Sequence, residues 1–126
     1  MKKEIIICLC IIIAIIIGDM ALQKYTNDTL KSINEKLTYM KHELEQSDNA
    51  SLLKMDEVNT EWDKKFNILT CYLEHNELEK VKTQLVSISA GIRVNDKEYV
   101  YEEIEKAIYM LEHLKDKQML KIDNIL

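Results

Sequence analysis

The residues best suited to bind a transition metal surround His75. Cys71 lies four residues before His75 and Glu79 four residues after it, so on a continuous helix the three would share one row. Thiolate, imidazole and carboxylate groups are all ligands of zinc or copper. Such a site normally gathers three or four ligands from more than one element, and the sequence has no C-x-x-C or H-x-x-x-H pair to complete it. The pattern favours a structural role, in which His75 and Glu77 are hydrogen-bonded within the fold or mark a helix break.

The other two histidines do not extend this cluster. His42 and His113 fall on different predicted helices from His75, at heights that keep the three apart, and an exposed histidine on a polar face needs no ligand to explain it. The sequence also lacks G-x-S-x-G, a phosphate-binding glycine loop and the E-x-x-H pair of di-iron bundles. We therefore expect no catalytic residues, no cofactor and no enzyme.

Helices must position these residues, because the chain has no proline, two glycines and abundant Leu, Ile, Lys and Glu. A first apolar stripe, at steps of three and four, predicts a helix over residues 27–46. It contains Leu30, Ile33, Leu37, Met40 and Leu44. The polar cluster at residues 47–51 then predicts a turn.

Two further stripes follow, and the step from the end of one at Leu73 to the start of the next at Leu78 is five residues. The first contains Met55, Val58, Trp62, Phe66, Leu69 and Leu73, and the second Leu78, Val81, Leu85, Ile88 and Ile92. The longer step rotates the stripe by about 100°. The lack of glycine or proline favours one long helix that changes neighbours; the alternative is a break with Asn76 as cap and Glu79 reaching back to it.

Gly91 then suits a helix end, and Asn95 with Glu98 offers a new start, so the second turn is expected at residues 91–95. A last stripe predicts a helix over residues 97–122, and short connections make neighbouring helices antiparallel. The expected fold class is all-α: an N-terminal membrane helix followed by an up-down-up bundle of three helices, or four if the break is real. An uncovered apolar face would favour a homodimer.

The N-terminal residues 1–22 predict a membrane anchor, and residues 23–126 a helical domain. Lys2 and Lys3 precede an apolar run from Ile5 to Ile17; extended to Leu22, it forms a helix of about 27 Å, slightly short of the hydrocarbon thickness of about 30 Å. The small residues near Gly18 and Ala21 make poor cleavage sites, which favours an uncleaved anchor over a cleaved signal peptide or a buried soluble helix. The lysines place the N-terminus inside and the domain outside the cell.

Charge and cysteine usage restrict the partners of residues 19–126. Without Lys2, Lys3 and Glu4 the chain keeps 15 basic and 21 acidic residues, a net charge of −6. This charge argues against nucleic acid and against a domain lying flat on anionic lipid. Cys71 is the only cysteine outside the apolar run, so no disulfide is expected within the domain.

Several short motifs resemble those of domain-of-unknown-function family 4363, small membrane-anchored proteins of spore-forming Gram-positive bacteria. They are the lysine-flanked apolar N-terminus, Trp62 with Lys65-Phe66, the run His75-Asn76-Glu77-Leu78-Glu79-Lys80-Val81, and Asp123-Asn124-Ile125-Leu126. At a second position where the family pattern has tryptophan, this chain has Phe66. The resemblance picks out Trp62, His75, Glu77 and Asn124, implies no activity, and suggests that the last residues dock on the bundle.

These observations predict a non-enzymatic, single-pass protein on the outer face of the cytoplasmic membrane. It would contact lipid through its anchor and would act through a protein partner or as a scaffold. The alternative is an extracytoplasmic domain that senses a small ligand or a metal at His75.

Overall fold

The computed structural model describes the backbone of residues 1–47 and 52–125, and the side chains of residues 1–46 and 52–117. Four α-helices make up most of the described chain: α1 spans Lys2–Ser47, α2 Leu52–Leu69, α3 His75–Arg93 and α4 Lys97–Ile125. The described residues contain no strand, which confirms the all-α class. Of the turn expected at residues 47–51, Ser47 is the last residue of α1, and residues 48–51 lie outside the described residues.

α1 is a single helix of 46 residues, about 69 Å long. It joins the apolar run to the first bundle helix, which the sequence patterns treat as separate elements. Residues 1–21 are all exposed, whereas the face from Thr26 onwards is buried against the rest of the protein. By length and composition α1 is long and apolar enough to cross a membrane, and none of its most apolar stretch is buried inside the protein.

The predicted stripes form the hydrophobic core. The five residues expected on the first bundle helix are all buried, and Trp62 is completely inaccessible at the centre of α2. Phe66, Ile92 and Ile108 pack against the core with part of their surface exposed. Burial of these stripes is the main favourable contribution to folding, since the domain has no disulfide within the described residues.

The continuous helix favoured for residues 55–92 is wrong. α2 ends at Leu69, and Cys71 and Tyr72 donate their N–H groups to carbonyls three residues earlier, those of Ile68 and Leu69. Glu74 is extended at φ −66° and ψ 134° and precedes the first residue of α3, His75, so Asn76 is not the cap. The break resets the helical phase, so that the stripes on either side of it face the same core.

The helices are antiparallel to their neighbours. Each helix packs against the next one in sequence, and α4 returns to pack against α1. Between α1 and α4, Lys41 pairs with Glu105 at 2.9 Å, and Glu45 accepts a hydrogen bond from Tyr101 at 3.0 Å. A step of four residues forward along α1 thus corresponds to a step of four residues backward along α4, as expected for antiparallel helices.

The other three pairs show the same reversal. Between α1 and α2, Lys36 contacts Glu61 and Glu43 contacts Lys54. Between α2 and α3, Asp63 contacts Lys82 and Asn59 contacts Ser89. Between α3 and α4, Gln84 contacts Glu103 and Glu77 contacts Lys117. The break thus supplies the fourth helix, and the helices close into a ring.

The turn between α3 and α4 differs from its expected form by a few residues. Gly91 lies inside α3, which continues to Arg93. Asn95 adopts the left-handed conformation, with φ 56°, that asparagine tolerates better than most residues. Asp96, rather than Asn95, accepts the N–H of Tyr99 at 3.2 Å and so caps α4.

Gly91 is needed for the close approach of α3 to α4. A Cβ atom at this position would lie 2.7 Å from Cδ1 of Tyr99 and 2.7 Å from Cγ2 of Val100. Val100 is buried, and its β-branched side chain has little freedom to move.

We expect Gly91→Ala to lower the free energy of unfolding by about 1–3 kcal/mol, because overpacking outweighs the gain in helix propensity. Guanidinium unfolding of the full chain in detergent, followed by Trp62 fluorescence, measures the change. Gly18→Ala is the matched control, since no atom lies within 4 Å of a Cβ there. An unfolding midpoint for Gly91→Ala at or above that of wild type would contradict the close approach.

Candidate functional site

Three of the four residues that the resemblance picks out have described side chains, and these do not converge on one point. Trp62 is in the core, and its indole Nε1 has no hydrogen-bond partner among the described residues. His75 begins α3, and its side chain is 63% exposed. Its ring meets that of Phe66 edge-on, with centroids 5.3 Å apart, and Nε2 lies 3.4 Å from Oε1 of Glu79.

Glu77 and Asn124 belong to the α3–α4 pair. Glu77 accepts a hydrogen bond from Lys117 of α4 and so ties the start of α3 to the last third of α4. The backbone of Asn124 is helical, but its side chain lies outside the described residues, as does any docking of the last residues on the bundle.

The row of Cys71, His75 and Glu79 does not form. The break puts Cys71 in the turn before α3, where its thiol is exposed and points to the carbonyl of Asn67 at 3.8 Å. Within the described ranges, no group of three His, Cys, Asp or Glu side chains is placed to hold a metal ion. A metal site at His75 therefore has no supporting geometry.

The histidines outside this region are surface residues, as expected. His42 is exposed and lies 3.1 Å from the amide nitrogen of Gln46, and His113 is exposed and stacks on Tyr109. A groove between α3 and α4 encloses about 500 Å³, including space open to solvent, and its lining includes Glu77 and His113 but not His75. A ligand site centred on His75 is thus not supported by this groove either.

Near these residues, a hydrogen bond attaches the α2–α3 turn to α1. The hydroxyl of Tyr72 donates a hydrogen bond of 2.8 Å to the backbone carbonyl of Asp19. Burial, together with the charge of Asp19, raises the pKa of Tyr72. Six residues further along α1, Lys65 of α2 lies 5.7 Å from the ring centre of Tyr25. The turn is therefore held against α1 where the apolar run ends.

The register of α4 on α1 brings a third segment to the same level. Lys41 is opposite Glu105, and the two helices are antiparallel, so the backbone of Ile125 is about level with Ala21. We call this end of the bundle, formed by Asp19–Tyr25, the turn at residues 70–74 and the last two turns of α4, the proximal end. His75 and Glu77 lie beside it.

A buried polar contact joins α3 and α4, and sequence reasoning missed it. Gln84 and Glu103 are 9% and 7% exposed, and Nε2 of Gln84 donates to the carbonyl oxygen of Glu103 at 2.9 Å and also to its carboxylate. Lys106 contacts the other carboxylate oxygen at 3.1 Å. The signal was available, because Gln84 and Glu103 lie three residues after the stripe residues Val81 and Val100.

Comparison with protein families identifies the chain. The model of a family described as a domain of unknown function, DUF4363, matches residues 20–125. The chain belongs to this family. Comparisons with curated proteins and with solved structures gave no match. The resemblance seen in the short motifs is confirmed, and the DUF4363 match begins within the proximal end, directly after Asp19.

We expect Tyr72→Phe to destabilise this DUF4363 protein by about 0.5–1.5 kcal/mol, the usual net contribution of one hydrogen bond. The ring is retained, so the loss reports the bond to Asp19 rather than packing. Thermal unfolding of the full chain in detergent, followed by circular dichroism, measures it. Tyr109→Phe is the control, because Tyr109 is 70% exposed; equal melting temperatures for the two variants would refute a stabilising bond.

Glu61 predicts a dependence of stability on pH. Its burial acts to raise its pKa, but hydrogen bonds from Lys36, Lys65 and Ser32 outweigh burial, so the pKa is below its ordinary value of 4.5. A lowered carboxyl pKa stabilises the folded state fully above that ordinary value and loses its effect as pH falls through the lower, folded-state pKa.

The urea midpoint of wild type should therefore fall more steeply than that of Glu61→Gln as pH is lowered from about 4.5. The two proteins are compared in the same buffers, so that other carboxyl groups contribute equally. Parallel curves below this pH would show that Glu61 contributes nothing to the acid response.

Proposed function

We propose that this protein is a single-pass anchor that holds a non-enzymatic helical bundle upright on the outer face of the bacterial cytoplasmic membrane, where it acts as a scaffold for protein contacts. The observation that carries the proposal is the continuity of α1. One helix supplies both the apolar, wholly exposed segment and a full edge of the bundle, so the bundle has no flexible linker to the membrane.

The charges next to the apolar segment support the orientation. Lys2 and Lys3 precede it, and positive residues at the N-terminal side favour a cytoplasmic N-terminus. The net charge of −6 over residues 19–126 suits a domain that stands away from anionic lipid rather than lying along it.

The geometry favours a spacer that presents to other proteins the end of the bundle opposite the apolar segment, which includes Ser47, Leu53 and Val94 and which we call the far end. From Leu22 to the end of α1 at Ser47 the helix rises about 38 Å. At that far end Leu53 and Val94 are 78% and 73% exposed. Contact with another protein at this end would remove these two apolar side chains from water, which is favourable.

Labelling with a membrane-impermeant maleimide tests the orientation. In a Cys71→Ser background, Val94→Cys should react in intact protoplasts as fully as in lysed ones, because residue 94 is outside and exposed. Glu4→Cys in the same background is the matched control and should react only after lysis. Labelling of Val94→Cys only after lysis would overturn the orientation.

A further inference from the structure

The apolar part of α1 is short for a membrane span, and this fixes where the bundle begins. Ile5 to Leu22 covers about 27 Å, against about 30 Å for the hydrocarbon core. All of these residues are needed to cross it, so the outer boundary of the hydrocarbon falls near Leu22. Asp19 lies about 4.5 Å from Leu22, less than one helical turn, and its carboxylate would be costly inside the hydrocarbon, so Asp19 lies at the boundary itself.

The α2–α3 turn is bonded to α1 at this same depth. The Tyr72 hydroxyl is 2.8 Å from the Asp19 carbonyl oxygen, so its position relative to the membrane follows from that of Asp19. On α1, Met20 is 64% exposed at this level. The bundle therefore does not start above the membrane; its proximal end begins where the lipid chains end.

The side chains around the turn suit the boundary between headgroups and acyl chains. Ile68 is 39% exposed at the end of α2, and Cys71 is exposed beside it. Tyr25 and Tyr72 are half-buried, and tyrosine is enriched at membrane interfaces because it has an apolar ring and a polar tip. Lys24 and Lys64 are exposed, and long lysine side chains can extend their charged ends to the level of the headgroups.

We propose that the proximal end of the bundle, led by Ile68, Cys71 and Tyr72 of the α2–α3 turn, is inserted into the headgroup layer of the outer leaflet as a second contact with lipid. This inference rests on the anchor of the proposed function and goes beyond it. A second contact beside the anchor resists tilting of α1, because tilting would lift the turn out of the layer or push it into the hydrocarbon. Each headgroup layer is about 5–7 Å thick, enough for the turn but not for the bundle.

The cysteines of the chain supply the probes for a test in phosphatidylcholine vesicles. Three full-length variants each carry one thiol for a bimane label: Cys10 alone, in the anchor; Cys71 alone, in the turn; and Val94→Cys alone, at the far end. The other cysteines are replaced by serine. Quenching is compared between lipids brominated near the chain ends and lipids with a nitroxide on the headgroup.

Insertion predicts that the headgroup nitroxide removes more than half of the fluorescence at Cys71, that bromines near the chain ends quench Cys10, and that neither quenches the label at position 94. A Cys71 label as unquenched as that at position 94, with Cys10 quenched, would overturn the insertion and leave the anchor intact. An unquenched Cys10 would overturn both. Strong quenching by the headgroup nitroxide at both position 71 and position 94 would mean that the bundle lies along the surface, which also overturns the proposal.

Discussion

The structure depends on one helix, α1, whose two parts have different surroundings. From Ile5 to Ile17 α1 exposes apolar side chains all round, as a membrane-spanning helix does, whereas from Leu30 to Leu44 it buries a single stripe against protein. Between these parts, Thr26 and Thr29 are 0% and 2% exposed, and their hydroxyls bond to the carbonyls of Leu22 and Tyr25 at 2.9 Å. Their polar groups are therefore satisfied within the helix, and α1 passes from its exposed apolar part into the bundle without a break.

The rest of the bundle is arranged to cover the stripe on α1. α2 and α4 pack on it directly, and α3 closes the ring between them. Apolar stripes alone would allow helices to slide by a turn, whereas specific polar contacts hold each pair in register. The buried contact of Gln84 with Glu103 fixes α3 against α4, and breaking it would leave buried polar groups without partners. The exposed ion pairs between α1 and its neighbours contribute less per pair but favour the same register.

This arrangement separates the two ends of the molecule. The proximal end joins α1 to the α2–α3 turn through Tyr72, and His75 and Glu77, which the resemblance in the sequence picks out, lie beside it. The far end carries isolated exposed apolar residues such as Leu53 and Val94. The function that we propose, a rigid support for contacts with other proteins, follows from this separation of the two ends.

The sequence alone determined the apolar segment, the all-α class and most of the core, because each depends on composition or on a local period of three and four residues. It also identified the family through short motifs. It did not determine the break at residues 70–74: without glycine or proline, local preference allows a continuous helix there, and only packing both stripes on one core requires the reset. Tertiary structure likewise decided that Tyr72 bonds to Asp19, that Gly91 serves close packing rather than a helix end, and that Cys71 leaves the row of His75. Each of these depends on residues distant in sequence or on the position of a neighbouring helix, which no local pattern contains.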